Sequence, residues 1–501
     1  MPRLAIATTL LLSTLFALAG CSDSSDRSSP VEETFLPIAD PAIEDPPDAG
    51  TFFLQLANFD LGELGYRSRE YFISGTATAF TNLDLLRPNG IWTAEPAETA
   101  GFKTRIVVVR PDNDADFSGT VMVEWLNVTS GFDIAPSWNA GRTGILRDGH
   151  AWVGVSAQLV GIEGRPGSVA PFHLKAINPQ RYGALSHPGD SFSYDIFSQV
   201  AQALRSPVDV DVLAGLAPQR LIALGESQSA GRLTTYINAV HPLYNPYDGY
   251  LVHSRGDGSP PLAQEPQVSI PTPEVVRIRT DLNVPVLTFQ TETDILFLGY
   301  LDDRQPDSDS FRLWEVAGTA HADRYTTLIG FDDKGDDPGF AVVDEEASVA
   351  EGLLTCPLPL NNGPHPWVFN AALHSLAAWV RDGTAPPEAP RLEVDEAARA
   401  FVLDDLGNVR GGIRTPYVDV PASRLSGEGQ EGGSFCFLFG TTELFDAATM
   451  ASLYVDRSGY REAVRDAADS AVEAGFLLPP DAARIKAAAG PQWGQAMRRD
   501  N

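Results

Sequence analysis

Short apolar runs alternate with segments of helical periodicity along most of the chain. Several runs are continuous, such as residues 106–109 and 284–287, and this pattern is typical of strands buried on both faces of a sheet. Strands that alternate with helices predict an α/β fold with a mostly parallel central sheet and helices on both faces. The predicted strands are 71–80, 103–110, 120–126, 151–157, 220–225, 249–253, 284–290 and 312–316, and the main predicted helices are 137–147, 194–204, 233–240 and 368–380.

The stretch Arg220-Leu-Ile-Ala-Leu-Gly-Glu-Ser-Gln-Ser-Ala-Gly231 joins a predicted strand to a predicted helix. Gly225, Ser227 and Ser229 follow the spacing of a nucleophile elbow, Gly-x-Ser-x-Gly, a sharp turn that exposes a serine hydroxyl. Because the last position is serine, a second frame with Ser229 as the nucleophile is the alternative. The apolar run stops at Gly225, so the turn is expected there and Ser227 is preferred. We expect Ser229 to be the small residue that lets the helix approach the strand.

A serine nucleophile needs a base that accepts its proton, and the base needs an acid that orients it. Two carboxylates follow the strand predicted at 284–290. Asp294 fits the position of the acid best, and Glu292 is the alternative acid. The predicted base is His321, which follows the strand predicted at 312–316 after a glycine-containing loop. Each candidate therefore stands just beyond a predicted strand.

The oxyanion formed during acyl transfer needs hydrogen-bond donors. One predicted donor is the backbone N–H of Gln228, the residue after the nucleophile. The other is the backbone N–H of Val128, in the loop after the third predicted strand. Trp125, Phe132 and Trp138 lie close to this loop in sequence and indicate either an apolar substrate pocket or core packing.

The elbow, acid, histidine and oxyanion loop, in this order, resemble the α/β-hydrolase superfamily. A narrower likeness, to bacterial secreted α/β-hydrolase-domain proteins, is carried by residues 123–127, 186–195, 225–229, 315–323 and 407–416. The resemblance implies an α/β-hydrolase fold and a serine hydrolase that cleaves small-molecule carboxylic esters through an acyl-enzyme, without a cofactor. Asn127-Val128 stands where many esterases carry His-Gly-Gly, which departs from that subgroup. The alternatives are an acyltransferase or amidase/peptidase with the same triad, or a non-catalytic envelope lipoprotein.

Composition narrows the class of partner. The chain has 501 residues and a formal net charge of −30, so a nucleic-acid partner is not expected. No pair among the eight histidines has metal-ligand spacing, so no metal site is predicted.

Residues 1–20 are predicted to be a lipoprotein signal peptide. An apolar run follows Arg3 and ends in Leu18-Ala-Gly-Cys21, which resembles a bacterial lipobox. We expect a lipid on Cys21 to hold the protein to a membrane of the cell envelope. Ser22, which follows the cysteine, favours the outer membrane. The alternative is that the protein is secreted. Residues 21–50 are rich in Ser, Asp, Glu and Pro and are expected to form an acidic tether.

The rest of the chain, 51–501, is predicted to be one α/β-hydrolase domain. It has loop insertions at 256–282 and 323–363 and a C-terminal extension from about residue 384. Cys356 and Cys436 remain after Cys21 is assigned to lipid. An even pair in an oxidising compartment favours a disulfide over two buried thiols.

Overall fold

The computed structural model describes residues 35–166, 171–346, 348–350, 354–433 and 435–498. The predicted signal peptide and Cys21 lie outside these residues. Within them, one large sheet is formed by nine strands: β1 (Ala42–Glu44), β2 (Tyr66–Asn82), β3 (Ala94–Pro111), β4 (Thr120–Trp125), β5 (Ala151–Val155), β6 (Arg220–Glu226), β7 (Gly249–His253), β8 (Val286–Thr291) and β9 (Phe311–Val316).

The order of the strands across the sheet is β1-β2-β3-β5-β4-β6-β7-β8-β9. All neighbours from β5 to β9 are parallel, whereas β1, β2 and β3 join through antiparallel pairs. The strand β6, which leads into the elbow, lies between β4 and β7 near the middle of the sheet. Residues that follow the carboxyl ends of the parallel strands therefore gather at one edge, where ligands bind in open α/β sheets.

The continuous apolar runs are explained by a core on each face of the sheet. Every residue of β4, β5, β7 and β8 is buried. In β3, Ile106 and Val108 belong to one apolar cluster, and Val107 and Val109 belong to the other. Successive strand residues point to opposite faces, so both faces must be covered. Together with the helices packed on each cluster, this confirms the mostly parallel α/β fold.

The α-helices of the described chain are α1 (Pro136–Arg147), α2 (Leu159–Glu163), α3 (Leu174–Ile177), α4 (Pro179–Tyr182), α5 (Ser193–Arg205), α6 (Gln228–Thr235), α7 (His241–Tyr244), α8 (Glu292–Leu296), α9 (Arg324–Thr327), α10 (His365–Asp382), α11 (Pro416–Asp419), α12 (Ala447–Tyr454), α13 (Arg457–Glu473) and α14 (Pro479–Ala496). A π-helical turn, Tyr236–Val240, continues α6. Helices α5 and α6 cover one face, and α1 and α10 cover the other.

The first strands extend well beyond the prediction. Strands β2 and β3 have 17 and 18 residues and form a hairpin whose register runs from Tyr66 opposite Pro111 to Asn82 opposite Ala94. The half of the hairpin next to its turn mixes exposed and buried residues, so a search for apolar runs finds only the buried part. Strand β1 lies within the segment predicted as a tether and pairs with β2. It has only three residues, and the ladder bonds that hold it are made by the backbone, which composition does not report.

The two segments predicted as insertions differ in structure. Residues 256–282 contain no helix, and their only ladder contact is an isolated bridge between Ala263 and Ile270. The described part of 323–363 includes α9 and a small hairpin, Ser348–Ala350 with Leu354–Thr355. A disulfide joins Cys356 to Cys436 and so ties this segment to the C-terminal extension. Among the described helices, none has the length and apolar composition needed to span a bilayer.

Candidate active site

Ser227 occupies the turn between β6 and α6. Its backbone has φ 57° and ψ −119°, a conformation that a residue with a side chain seldom adopts. Two hydrogen bonds hold the turn: the N–H of Ser227 donates to the carbonyl of His253 at 2.9 Å, and the carbonyl of Ser227 accepts from the N–H of Gly231 at 3.0 Å. A serine held in this way at a strand-to-helix turn is the geometry of a nucleophile elbow.

Gly225 and Ser229 have the packing role that a small residue requires. A Cβ atom at Gly225 would lie 2.9 Å from both the carbonyl oxygen of Ser229 and the Cδ1 atom of Leu233. Ser229 is fully buried, and its Oγ atom has no hydrogen-bond partner among the described residues. Ser227 lines a cavity that Ser229 does not reach. The geometry therefore favours the frame with Ser227 as the nucleophile.

The structure brings His321 and Asp294 together. The Nδ1 atom of His321 lies 2.6 Å from Oδ1 of Asp294, and both residues are buried. The other oxygen of Asp294 accepts from the N–H of Thr291 at 2.7 Å and from its hydroxyl at 2.8 Å. The N–H of His321 donates to the hydroxyl of Thr293 at 3.1 Å. The first turn of α8 thus positions the histidine through both its ring and its backbone.

Glu292, the alternative acid, has different partners. Its two carboxylate oxygens accept from the N–H of Gly318 at 2.6 Å and from the N–H of Gly427 at 2.7 Å. Burial raises the pKa of Glu292 to about 8 against the opposing effect of these two donors. Glu292 ties the histidine loop to the C-terminal extension, while Asp294 is the carboxylate in contact with the imidazole.

The second ring nitrogen of His321 lies close to Glu226, the residue before Ser227. Its Nε2 atom lies 3.1 Å from Oε1 of Glu226. In the described chain no hydrogen bond joins His321 to the hydroxyl of Ser227. The side chain of Asn127 donates to Oε2 of Glu226 at 3.0 Å and to its backbone carbonyl at 3.1 Å. The sequence analysis missed Glu226, although its position inside the elbow motif is a signal that could have identified it.

Opposing effects act on the pKa values of this pair. Burial raises the pKa of Glu226 to about 7, although the charge of His321 acts in the other direction. Burial by itself lowers the pKa of His321, but the carboxylates of Glu226 and Asp294 outweigh it and raise the value above normal. The imidazole is thus favoured in its charged form when both carboxylates are ionised.

The two predicted oxyanion donors stand at the start of α6 and in the loop after β4. Gln228 begins α6, so its N–H is one of the free donors at a helix N-terminus. Val128 lies in a loop closed by paired bonds between Asn127 and Ile134 at 3.0 and 2.9 Å. Neither N–H has a hydrogen-bond partner among the described residues, whereas the N–H of Thr129 is taken by the side chain of Asn127 at 2.7 Å. The arrangement leaves two backbone donors free.

Two further histidines, which the sequence analysis did not connect to the site, form a pair in the same region. The Nε2 atoms of His253 and His365 are 2.8 Å apart. Burial lowers the pKa of both imidazoles. His253 ends β7 and His365 begins α10, so only the packing of helix on sheet brings them together.

A cavity of about 360 Å³ opens at this edge of the sheet, and Ser227, His321 and Glu226 line it. Phe132 also lines the cavity, whereas Trp125 and Trp138 are buried in the two cores. Among the described lining residues there is no Lys or Arg, and the described chain holds no cluster of side chains suited to a metal ion. The apolar lining of the cavity includes Phe132, Ile134, Phe331, Phe435, Leu438 and Phe439.

The chain is similar to several solved structures of esterases. The solved structures that resemble the chain include acetyl xylan esterase 1 from Thermoanaerobacterium sp. JW/SL YS485, with 12% identity, a TM-score of 0.23, and coverage of 43% of this chain and 53% of the esterase. They also include a glucuronoyl esterase from Solibacter usitatus, with 12% identity, a TM-score of 0.29, and coverage of 56% of this chain and 82% of the esterase. This chain thus spans about half the length of the first of these relatives. A search of curated proteins found no match.

A family model described as an alpha/beta hydrolase domain matches residues 38–487, which is most of the chain. The strand order, the elbow at the end of β6 and the position of His321 after β9 accord with that match. The chain belongs to the alpha/beta hydrolase domain family.

Proposed function

We propose that the protein is a serine hydrolase that cleaves carboxylic esters of small molecules. The observation that carries the proposal is one arrangement: Ser227 in a positive-φ elbow shares a cavity with His321, whose Nδ1 contacts buried Asp294 at 2.6 Å. A serine nucleophile, a base and an acid that orients the base are the groups that acyl transfer to serine requires.

In the proposed reaction, the Oγ atom of Ser227 attacks the ester carbonyl while Nε2 of His321 accepts the hydroxyl proton. Asp294 holds the ring by its Nδ1–H and stabilises the imidazolium that forms. The N–H groups of Val128 and Gln228 donate to the oxyanion. His321 then gives the proton to the leaving alcohol, and water attacks the acyl-enzyme by the same route. Removing one of the two oxyanion hydrogen-bond donors typically lowers the rate by about 10²–10³-fold.

The cavity supports a neutral ester with an apolar acyl or alcohol group. Its volume of about 360 Å³ lies in the range of small-molecule sites. Its described lining has no Lys or Arg to pair with an anionic substrate, and the carboxyl of Glu226 would repel such a substrate when ionised.

The decisive experiment is covalent labelling with a fluorophosphonate probe, with mass spectrometry to identify the labelled residue. We expect label on Ser227, none in Ser227→Ala, and a loss of at least about 10⁴-fold in hydrolysis of a p-nitrophenyl ester by that variant. Ser229→Ala is the matched control, since it removes a buried hydroxyl without a described partner. Label on Ser229, or equal activity in Ser227→Ala, would overturn the proposal.

We also propose that the protein is anchored to the cell envelope by lipid on Cys21. The support is the lipobox-like Leu18-Ala-Gly-Cys21 and the tether composition that follows it. Detergent partitioning and mass spectrometry of the mature N-terminus test this, with Cys21→Ala as the control. A wild-type protein that partitions like Cys21→Ala would overturn it.

A further inference from the structure

Glu226 places a second carboxyl group on the proposed catalytic histidine. Its side chain is 7% exposed, and its Oε1 atom lies 3.1 Å from Nε2 of His321, the nitrogen that must accept the proton of Ser227. The amide of Asn127 donates to the other oxygen at 3.0 Å, which fixes the carboxyl group in this position. The imidazole is therefore held between two carboxyl groups, Asp294 on Nδ1 and Glu226 on Nε2.

Two protons are shared among His321 and its two carboxyl groups in this arrangement. The Nδ1 atom carries a proton that it donates to Asp294. The 3.1 Å contact between Nε2 and Oε1 of Glu226 is an ion pair, and it is attractive only if the pair carries one more proton, either on the imidazolium or on the carboxylic acid. In both cases the lone pair of Nε2 is occupied. His321 cannot accept the proton of Ser227 until that shared proton leaves.

We infer that Glu226 is a positioning residue that holds His321 in a resting, proton-sharing pair and sets the pH above which the histidine serves Ser227. The inference rests on the proposed function and extends it to the regulation of the same site. When the shared proton passes to solvent, Nε2 and the carboxylate of Glu226 are both acceptors and no longer bind each other. The ring is then free to accept a hydrogen bond from the hydroxyl of Ser227, which lines the same cavity.

Burial, together with the charge of Asp294, raises the pKa of Glu226 to about 7 against the opposing charge of His321. Asp294 and Glu124 face Glu226 as carboxyl groups, and burial raises the pKa of Glu124 to about 8. Burial lowers the pKa values of His253, on the neighbouring strand β7, and of His365 behind it, which disfavours a charge on either ring. No cation other than His321 faces Glu226 in the described chain. The shared proton is therefore the main local compensation for two ionised carboxylates.

The test is the pH dependence of kcat/KM for Glu226→Gln against wild type, with a neutral p-nitrophenyl ester. Glutamine keeps the shape of the side chain and the contact with Asn127 but carries no charge. We expect the acid limb to move down by at least about one pH unit, because a nearby opposite charge shifts a pKa by about one to three units. We also expect a lower plateau, since the imidazolium of the transition state loses one carboxylate. Glu98→Gln, which removes an exposed carboxylate elsewhere, should leave the profile unchanged.

A second measurement does not depend on turnover. In Ser227→Ala protein, the ¹⁵N resonances of the His321 ring, assigned by difference from His321→Gln, report its protonation directly. Adding Glu226→Gln should lower the pH at which the ring loses its proton. Fluorophosphonate labelling of Ser227 checks the proposed function separately. A labelled enzyme whose acid limb and ring titration are both unmoved by Glu226→Gln would overturn this inference and leave the proposed function intact.

Discussion

His253 and His365 face each other through their Nε2 atoms at 2.8 Å in the wall of the cavity. The Nδ1 atom of His365 lies 3.2 Å from the carbonyl of Ala320 and must be its protonated nitrogen, so its Nε2 accepts from His253. Nδ1 of His253 then accepts from the hydroxyl of Ser137 at 3.2 Å. The pair thus links the elbow, where the carbonyl of His253 holds Ser227, to the residue before His321.

Removing one member of this pair should weaken both the fold and the site. In His365→Leu, the N–H of His253 is left buried without a partner, which costs about 1–3 kcal/mol of unfolding free energy. We expect kcat to fall as well, because the carbonyl of Ala320, in the loop that carries His321, loses its hydrogen bond from His365. Urea unfolding and steady-state kinetics measure both effects. His374→Gln, on the exposed face of the same helix, is the control, and a stability equal to that of this control would contradict the assignment.

The same variant should change the acid dependence of stability. Burial lowers the pKa of His365 in the folded protein, while the unfolded chain has the ordinary value of about 6.5. Below that pH the unfolded state binds more protons, so the unfolding free energy of wild type falls by up to about 1.4 kcal/mol per pH unit for this group. His365→Leu lacks this loss. The stability gap between wild type and variant should therefore narrow from pH 7 to pH 5, and a constant gap would show that His365 is not buried as a neutral ring.

Substitutions at Asp294 and Glu292 should change different quantities: kcat for Asp294 and the free energy of unfolding for Glu292. Asp294→Asn disturbs the tautomer of His321, so kcat should fall by about 10³–10⁴-fold with little change in unfolding free energy. Glu292→Gln leaves the contact between Asp294 and His321 intact. The new amide NH₂ group, however, lies opposite the backbone N–H of either Gly318 or Gly427, so two donors face each other. That should cost about 1–3 kcal/mol of stability. Kinetics and urea unfolding of both variants decide the matter, and the opposite pattern would assign the acid role to Glu292.

The elbow should tolerate no Cβ atom at Gly225. A Cβ there lies 2.9 Å from the backbone of Ser229, so Gly225→Ala must displace the turn that carries Ser227. We expect a loss of about 1–3 kcal/mol of stability and a rate at least about tenfold lower. Gly101→Ala in β3 is the matched control, because the nearest atom to its Cβ is 4.0 Å away. Equal behaviour of the two variants would argue against a strained elbow.

The disulfide should support the wall of the cavity. Cys356 and Cys436 are separated by 80 residues, and cross-linking a loop of that length stabilises a protein by about 4 kcal/mol in the chain-entropy model. Phe435, Leu438 and Phe439, which flank Cys436, line the cavity. Reduction should therefore lower the melting temperature and raise KM for esters with long acyl chains. The double variant Cys356→Ser/Cys436→Ser should not respond to the reductant. A KM of wild type that is insensitive to reduction would mean that the wall holds without the bond.

Much of the architecture could be predicted from sequence because it depends on local signals. Buried strands such as β7 appear as apolar runs, and the predicted residues 249–253 coincide with the strand. The turn at Ser227 needs small neighbours within a few positions, so the motif is visible in the chain itself. The order of Ser227, Asp294 and His321 along the chain, each after a predicted strand, likewise depends on local sequence alone.

The packing of distant segments selects which of these side chains meet. Glu292 and Asp294 are two residues apart, and the packing of one turn of α8 sends Asp294 to His321 and Glu292 to the backbone of Gly318 and Gly427. The contact between Glu226 and His321 joins residues 95 positions apart. Local sequence patterns are sufficient to predict the periodicity of the strands, the elbow motif and the kinds of side chains available to the site. Contacts between distant segments depend on how sheet, helices and loops pack, and no local pattern encodes that geometry.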